Sequence, residues 1–458
     1  MQNLILNTDS YKTSHFVQYP EGAEYVSSYI ESRGGVYPAT VFFGLQMFIK
    51  QYLTKPISLA DIDEAEEICA AHGVPFNRAG WIHILNAHKG FLPLFIEAVP
   101  EGTVVHTGNV LVQVINTDPS CAWLTSYIET ALLRAIWYPT TVATVSKNCR
   151  TIIARYLEET ADNLDGLPFK LHDFGARGAS SEETTAIGTL AHLVNFMGTD
   201  SFSGILAARR YYAESMAGFS IPAAEHSTIT SWGRDGETAA YANMLTQFGG
   251  KNKLVAVVSD SYDIWNAIDN IWGGELKTQV ENTGGTLVVR PDSGEPVEIV
   301  PEAIERLMAR FGYTTNGRGY KVLPAYVRLI QGDGVCAAAI EAILAEMKKR
   351  GLSADNVAFG MGGELLQKVN RDTQKFAMKA SAICINGQWR DVYKDPITDQ
   401  GKRSKKGRLA LIKENGQFKT VPRESVSAEA NLLRAVFNNG ELITQYTLAE
   451  VRENALKE

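Results

Sequence analysis

The sequence predicts an α/β fold: an irregular α/β barrel of about seven parallel strands, with a second α+β domain formed by both chain ends. Two observations predict the barrel. Short apolar runs in the middle of the chain each stop abruptly in glycine or polar residues, and helix-length segments separate most of the later ones. The runs are apolar without alternation, as in strands covered on both faces.

In chain order the runs are KLHDFGARG (170–178), NFMGTDSFSG (195–204), IPAAEHSTIT (221–230) and KLVAVVSDSYD (253–263). TLVVRPDSG (286–294), YVRLIQGDGV (326–335) and NVAFGMGGELL (356–366) follow. The segments EPVEIVPEAIERLMARFG and VCAAAIEAILAEMKKRG carry helical periodicity between the last three runs. About seven strand–tip–helix units suit a barrel, whose functional groups sit on the loops after the strands. A doubly wound open sheet is the alternative and also places ligands at strand carboxyl ends. The flanks, residues 1–150 and 375–458, carry shorter elements and turns such as AVPEGTVVHTGN and NGQW. They read as the α+β domain, and residues 151–374 as the barrel. Ser58 and Asp61 make a capping box before a helix closed by Gly73, and Thr447 and Glu450 make another before the last helix.

The 458 residues are 45% hydrophobic and 21% charged, which is the composition of a packed globular chain. The formal charge of −7 argues against general nucleic-acid binding, so any site for a polyanion is a local basic pocket. The five cysteines are scattered, with no CxxC, so neither a disulfide framework nor a zinc site is expected and a reducing cytoplasm fits. The first residues show no signal-peptide pattern, and no apolar run is long enough to span a membrane.

The strand tips collect groups suited to phosphate and ribose. RPDSG offers the planar fork of Arg290 to phosphate oxygens, and Asp292 to a ribose hydroxyl or a magnesium ion. QGDGV lets the backbone at Gly332 approach a ligand beside Asp333, although Asp-Gly also makes ordinary turns. FGMGGELLQKVNRD is a glycine-rich strand end opening into a helix; it would offer backbone N–H groups near Gly363, with Arg371 about two turns along. It is not a Walker motif, because no GK[ST] follows. Phe174 can stack on a flat heterocycle or belong to the core, and Asp200 can bind a ligand or cap a turn. His226, at the end of the strand expected over this run, is either a satisfied structural histidine or a nucleophile or base. The basic run 394–408 reads as a solvated loop, a nucleic-acid patch or a loop over a pyrophosphate.

Taken together, the motifs resemble the nicotinamide phosphoribosyltransferase family of type II phosphoribosyltransferases. The resemblance runs almost end to end, through TDSYKTSH, AVPEG, NTDPSCAWL, HDFGARG, HLVNFMGTD, IPAAEHSTITSWG, VVSDSYDIWNA, RPDSG, IQGDGV, LLQKVNRD and KDP…KRSKKGRL. It implies transfer of phosphoribosyl from phosphoribosyl pyrophosphate to nicotinamide in a cytoplasmic homodimer with shared active sites. Magnesium and ATP, the latter a co-substrate that phosphorylates His226, are implied as well. Phe174 and the partner subunit's Tyr11 would sandwich the pyridine ring, and Asp200 would accept from the carboxamide. Arg177, His226 and Arg290 would face the pyrophosphate, with Asp260 orienting His226. Asp292, Gly332, Asp333, Gly363 and Arg371 would surround the ribose and its phosphate. Arg33, Lys379 and Lys394 would supply phosphate contacts across the dimer. Ala176, Met361 and Glu364 depart from the family pattern. The alternatives are the acid substrate nicotinate, or a non-catalytic nucleotide-binding protein on the same scaffold.

Overall fold

The computed structural model describes residues 3–398 and 402–457; Asp399, Gln400 and Gly401 of the basic run lie outside the described residues. The chain divides into two compact units. One comprises Met1–Thr144, Ala208–Glu214 and Val369–Glu458; the other comprises Val145–Ala207 and Ser215–Lys368.

The second unit is built on six parallel strands: β1 (Leu171–Asp173), β2 (Gly198–Thr199), β3 (Leu254–Val258), β4 (Thr286–Arg290), β5 (Val327–Gln331) and β6 (Val357–Met361). They lie in the order β2-β1-β6-β5-β4-β3. Helices α1 (Glu182–His192), α2 (Glu237–Phe248), α3 (Pro296–Phe311) and α4 (Ala337–Lys349) intervene. Helix α3 buries Val300, Ala303, Ile304, Leu307, Met308 and Phe311, a stripe at helical spacing. The sheet is covered on both faces. Leu287, Val289 and Leu329 are fully buried, while Ala256, Val288 and Ile330 cluster on the other face with Phe174, Ile221 and Ala358. This explains the unbroken apolar runs.

The run 221–230 differs from expectation, so the ladder has six strands rather than about seven. Pro222 has no N–H to give a ladder, and the Glu225 N–H donates to Thr228 Oγ1, turning the chain into the short helix His226–Thr230. What remains is a set of single bridges. The Thr199 N–H donates to the Phe219 carbonyl, Ala256 N–H to Pro222 and Ala224 N–H to Ala256. Both edge strands of the sheet, β2 and β3, therefore bond to residues 219–224.

The first unit carries a seven-stranded antiparallel sheet. Its order is Gln388–Asp391, Phe376–Ile385, Ala23–Ser32, Val110–Asn116, Leu94–Ala98, Arg434–Asn438 and Glu441–Leu442. Asn386 and Gly387, both at positive φ, close the Phe376–Ile385 hairpin. The two capping boxes start the helices Leu59–His72 and Leu448–Leu456, and Gly73 ends the first in the left-handed conformation. Among the described residues no helix is long and apolar enough to cross a membrane.

Candidate active site at the strand tips

Parallel pairing sets the position of the site. Met361 pairs with Asp173, Gln331 with Phe359, Leu329 with Val289 and Val258 with Arg290. The strands therefore end at one rim, and Phe174, Asp200, Asp260, Arg290, Asp292, Gly332 and Gly363 lie at or just beyond their ends.

Asp173 builds the first part of this rim. Its buried carboxylate accepts from Thr189, Thr199 and Ser201 hydroxyls at 2.6, 2.9 and 3.1 Å and from the Gly175 N–H at 2.8 Å. It ties together the turns that carry Phe174 and Asp200. The Phe174 ring lies over two glycines; a Cβ on Gly360 would come within 1.9 Å of it, and one on Gly332 within 3.1 Å. Glycine is required at 360 for this close approach, because the Phe174 ring occupies the place of the side chain.

Asp200 Oδ1 accepts from His172 Nε2 at 2.8 Å and from the Ser220 hydroxyl. Burial pushes its carboxyl up, but these two hydrogen bonds, with the charges of His172 and Arg290, outweigh it and hold the group below the usual carboxylate range. Phe174, Asp200, His172, Ser220 and Arg290 line a cavity of about 420 Å³ that runs back over Ala256, Val288 and Ile330. An apolar cleft with a few convergent polar groups is the usual form of a small-molecule site.

His226 stands at the start of its short helix, not at a strand end. Its Nε2 is 3.3 Å from Asp292 Oδ2 and 3.7 Å from Asp260 Oδ1, and its Nδ1 is 3.2 Å from the Ser261 hydroxyl. The nearer carboxylate is that of Asp292. Asp260, with its side chain 3% exposed, accepts through Oδ2 from the Asp292 N–H at 2.9 Å and from Ser293. It shapes the loop that presents Asp292. Three buried polar atoms on adjacent strand tips have no hydrogen-bond partner: Asp260 Oδ1, Arg290 Nε and Gln331 Oε1. Buried polar groups are nearly always paired, so this concentration marks a place where a polar ligand completes the pairing.

Asp333, two residues beyond β5, and Arg177, on the turn Ala176–Gly178 after β1, are exposed near the same strand ends. The helix at Gly363 spans only Gly363–Leu366, so Arg371 does not lie two turns along it. Asn370 caps a separate turn, Arg371–Thr373, with hydrogen bonds from the Asp372 and Thr373 N–H groups. Glu364 pairs with Lys368 at 2.5 Å, which offsets its charge beside the glycine loop. In the first unit, Tyr11, Arg371 and Lys379 line a cavity of about 390 Å³ with Lys12 and Arg134. Arg33 is bound to Glu31 at 3.1 Å, and Lys394 is exposed on the basic loop. Sequence reasoning passed over His172, Asp173, Ser220 and Ser261. The first two stand in HDFGARG beside Phe174, and that adjacency was the available signal.

A parallel α/β sheet with Arg290, Asp292 and glycine turns at its strand ends is an architecture suited to a phosphorylated sugar. The chain belongs to the nicotinate phosphoribosyltransferase (NAPRTase) family, whose model matches residues 169–441. Residues 3–96 match the nicotinamide phosphoribosyltransferase N-terminal domain. A nicotinamide phosphoribosyltransferase of Xanthomonas campestris pv. campestris is 54% identical over 99% of this chain and 98% of its own length. One of Acinetobacter baylyi is 33% identical over 97% and 95%. The fold is similar to the crystal structure of nicotinate-nucleotide pyrophosphorylase from Pyrococcus furiosus, with a TM-score of 0.63, 17% identity and coverage of 99% and 95%. It is also similar to that of human nicotinic acid phosphoribosyltransferase, with a TM-score of 0.59, 18% identity and coverage of 98% and 92%.

Proposed function

We propose that the chain is a nicotinamide phosphoribosyltransferase that makes nicotinamide mononucleotide and pyrophosphate in NAD salvage. The observation that carries the choice of substrate is Asp200. An ionised carboxylate beside Phe174 accepts from a carboxamide N–H and repels the carboxylate of nicotinate. The names of the Xanthomonas and Acinetobacter relatives support the same reading.

In this account the pyridine ring lies against Phe174, and its nitrogen displaces pyrophosphate from C1 of phosphoribosyl pyrophosphate through an oxocarbenium-like transition state. Arg290 donates to the leaving pyrophosphate, and its unpaired buried Nε is the donor in place for it. Asp292, Gly332, Asp333 and Gly363 surround the ribose and its phosphate. The carboxylates of Asp292 and Asp260, one oxygen of the latter buried and unpaired, are hard oxygen donors that fit a magnesium ion. Such an ion, when bound, neutralises charge on the substrate phosphates. His226, between the Ser261 hydroxyl and two carboxylates, takes the γ-phosphoryl of ATP on an imidazole nitrogen and releases ADP.

Residues 219–224 act as the seventh stave of an irregular barrel, and the flanking unit as its second, α+β domain. The protein works in the cytoplasm as a homodimer. Tyr11 and Lys379, which share a cavity with Arg371, serve the active site of the partner subunit together with Arg33 and Lys394. Tyr11 is 60% exposed, as a ring awaiting such a contact should be.

The test is a comparison of nicotinamide and nicotinate as acceptors, with and without ATP, with the mononucleotide detected by mass spectrometry. Nicotinamide should be the preferred acceptor and ATP should stimulate. Preference for nicotinate would overturn the assignment.

A further inference from the structure

Away from the strand tips, three side chains of the first unit form a compact donor set that the proposed reaction does not use. His83 Nε2 and His88 Nε2 both contact Oδ2 of Asp118, at 2.7 and 2.6 Å. The imidazole rings are T-shaped with centroids 5.8 Å apart, and the three donor atoms lie within 4.8 Å of one another.

We propose that His83, His88 and Asp118 bind a divalent transition-metal ion of the zinc type, with the remaining coordination filled by water. Two imidazoles and one carboxylate are the ligand set of open zinc sites, whereas magnesium and calcium prefer oxygen alone. The set is partly exposed, with side-chain accessibilities of 38%, 23% and 15%, so an ion can enter and keep a solvent-facing position.

The backbone that presents these groups is fixed. His83 lies on the helix Arg78–Ala87 and His88 is its C-cap. Asn77 caps the other end by accepting from the Gly80 N–H at 3.0 Å. Buried Trp81 packs edge-on against Trp123 and Tyr127, at 4.9 and 5.1 Å, which ties this helix to the segment just after Asp118. Asp118 is itself held: Oδ1 accepts from the Ser120 N–H at 2.8 Å, and its carbonyl accepts from Asn116 Nδ2 at 2.8 Å. Such outer contacts orient a metal ligand.

Zinc bonds of about 2.0–2.2 Å separate tetrahedral neighbours by roughly 3.4 Å. Each nitrogen must therefore retreat from Oδ2 by less than about 1 Å. Cysteine spacing could not reveal this site, because it contains no cysteine.

The experiment uses the full chain without a polyhistidine tag, stripped with chelator, then titrated with Co²⁺ and Zn²⁺. The variants are His83→Gln, which keeps a side-chain hydrogen-bond donor for Asp118, and Asp118→Asn. The parent should bind one more Zn²⁺ per chain than either variant, show a cobalt d–d absorption band that zinc abolishes, and gain thermal stability with zinc. In both variants, with circular dichroism unchanged, affinity should fall roughly tenfold or more and the band should disappear. Equal zinc content, bands and thermal response in parent and folded variants would overturn the site, as would a parent that binds no ion.

Discussion

Replacing Asp200 by asparagine removes one negative charge from the cavity wall. It keeps the side-chain shape and an oxygen that can accept from His172 and Ser220. A nicotinate carboxylate about 4 Å from Asp200 meets ~4 kcal/mol of repulsion at an effective dielectric near 20. Two features of the site reduce this figure. The Asp200 side chain is 49% exposed, so solvent screens it, and the Arg290 charge acts on the same group. A net penalty of roughly 1–2 kcal/mol remains, which is about 5–30-fold in relative kcat/KM. The assay measures kcat/KM for both acceptors in parent and Asp200→Asn at one ionic strength. The ratio of nicotinamide to nicotinate should fall by about that factor, mostly through a gain with nicotinate. A ratio unchanged within about twofold would refute the electrostatic basis of substrate choice.

Three other outcomes are expected. Gly360→Ala drives a methyl group into the Phe174 ring and should cost about 1–3 kcal/mol of stability, read from denaturant midpoints, and raise KM for the acceptor; adding Phe174→Leu should restore part of the stability. His226→Ala should abolish stimulation by ATP while leaving slow ATP-independent product formation, measured by coupled assay. Burial pushes Glu101 up to about 7 despite hydrogen bonds from Tyr212 and the Gln46 N–H. Its folded value lies above the unfolded 4.5, so its stabilising share is full below pH 4.5 and is lost as pH rises through about 7. The loss is about 3 kcal/mol, and Glu101→Gln should remove this slope from the unfolding free energy measured across that window.

The parts of the molecule set by local chemistry were readable from the residues. Capping boxes at Ser58 and Thr447 fixed two helix starts, and apolar runs ending in Asp or Gly located the strand tips of the parallel sheet. Residues 221–230 misled because an apolar run cannot reveal that Pro222 and the Glu225–Thr228 cap will break the ladder. The helix after Gly363 was overextended because Asn370 acts as a cap only when Asp372 and Thr373 turn back onto it. Asp173 was invisible as an organiser, since its partners Thr189, Thr199 and Ser201 are distant in sequence and meet it only in the fold. The same holds for Asp118, whose two histidines stand 30 and 35 residues away.

In a crystal structure of the chain with nicotinamide mononucleotide bound, the pyridine ring should lie against Phe174, its carboxamide nitrogen within hydrogen-bonding distance of Asp200, and the ribose between Asp292 and Gly332. A nucleotide seated elsewhere, with Phe174 and Asp200 untouched, would contradict the proposed site.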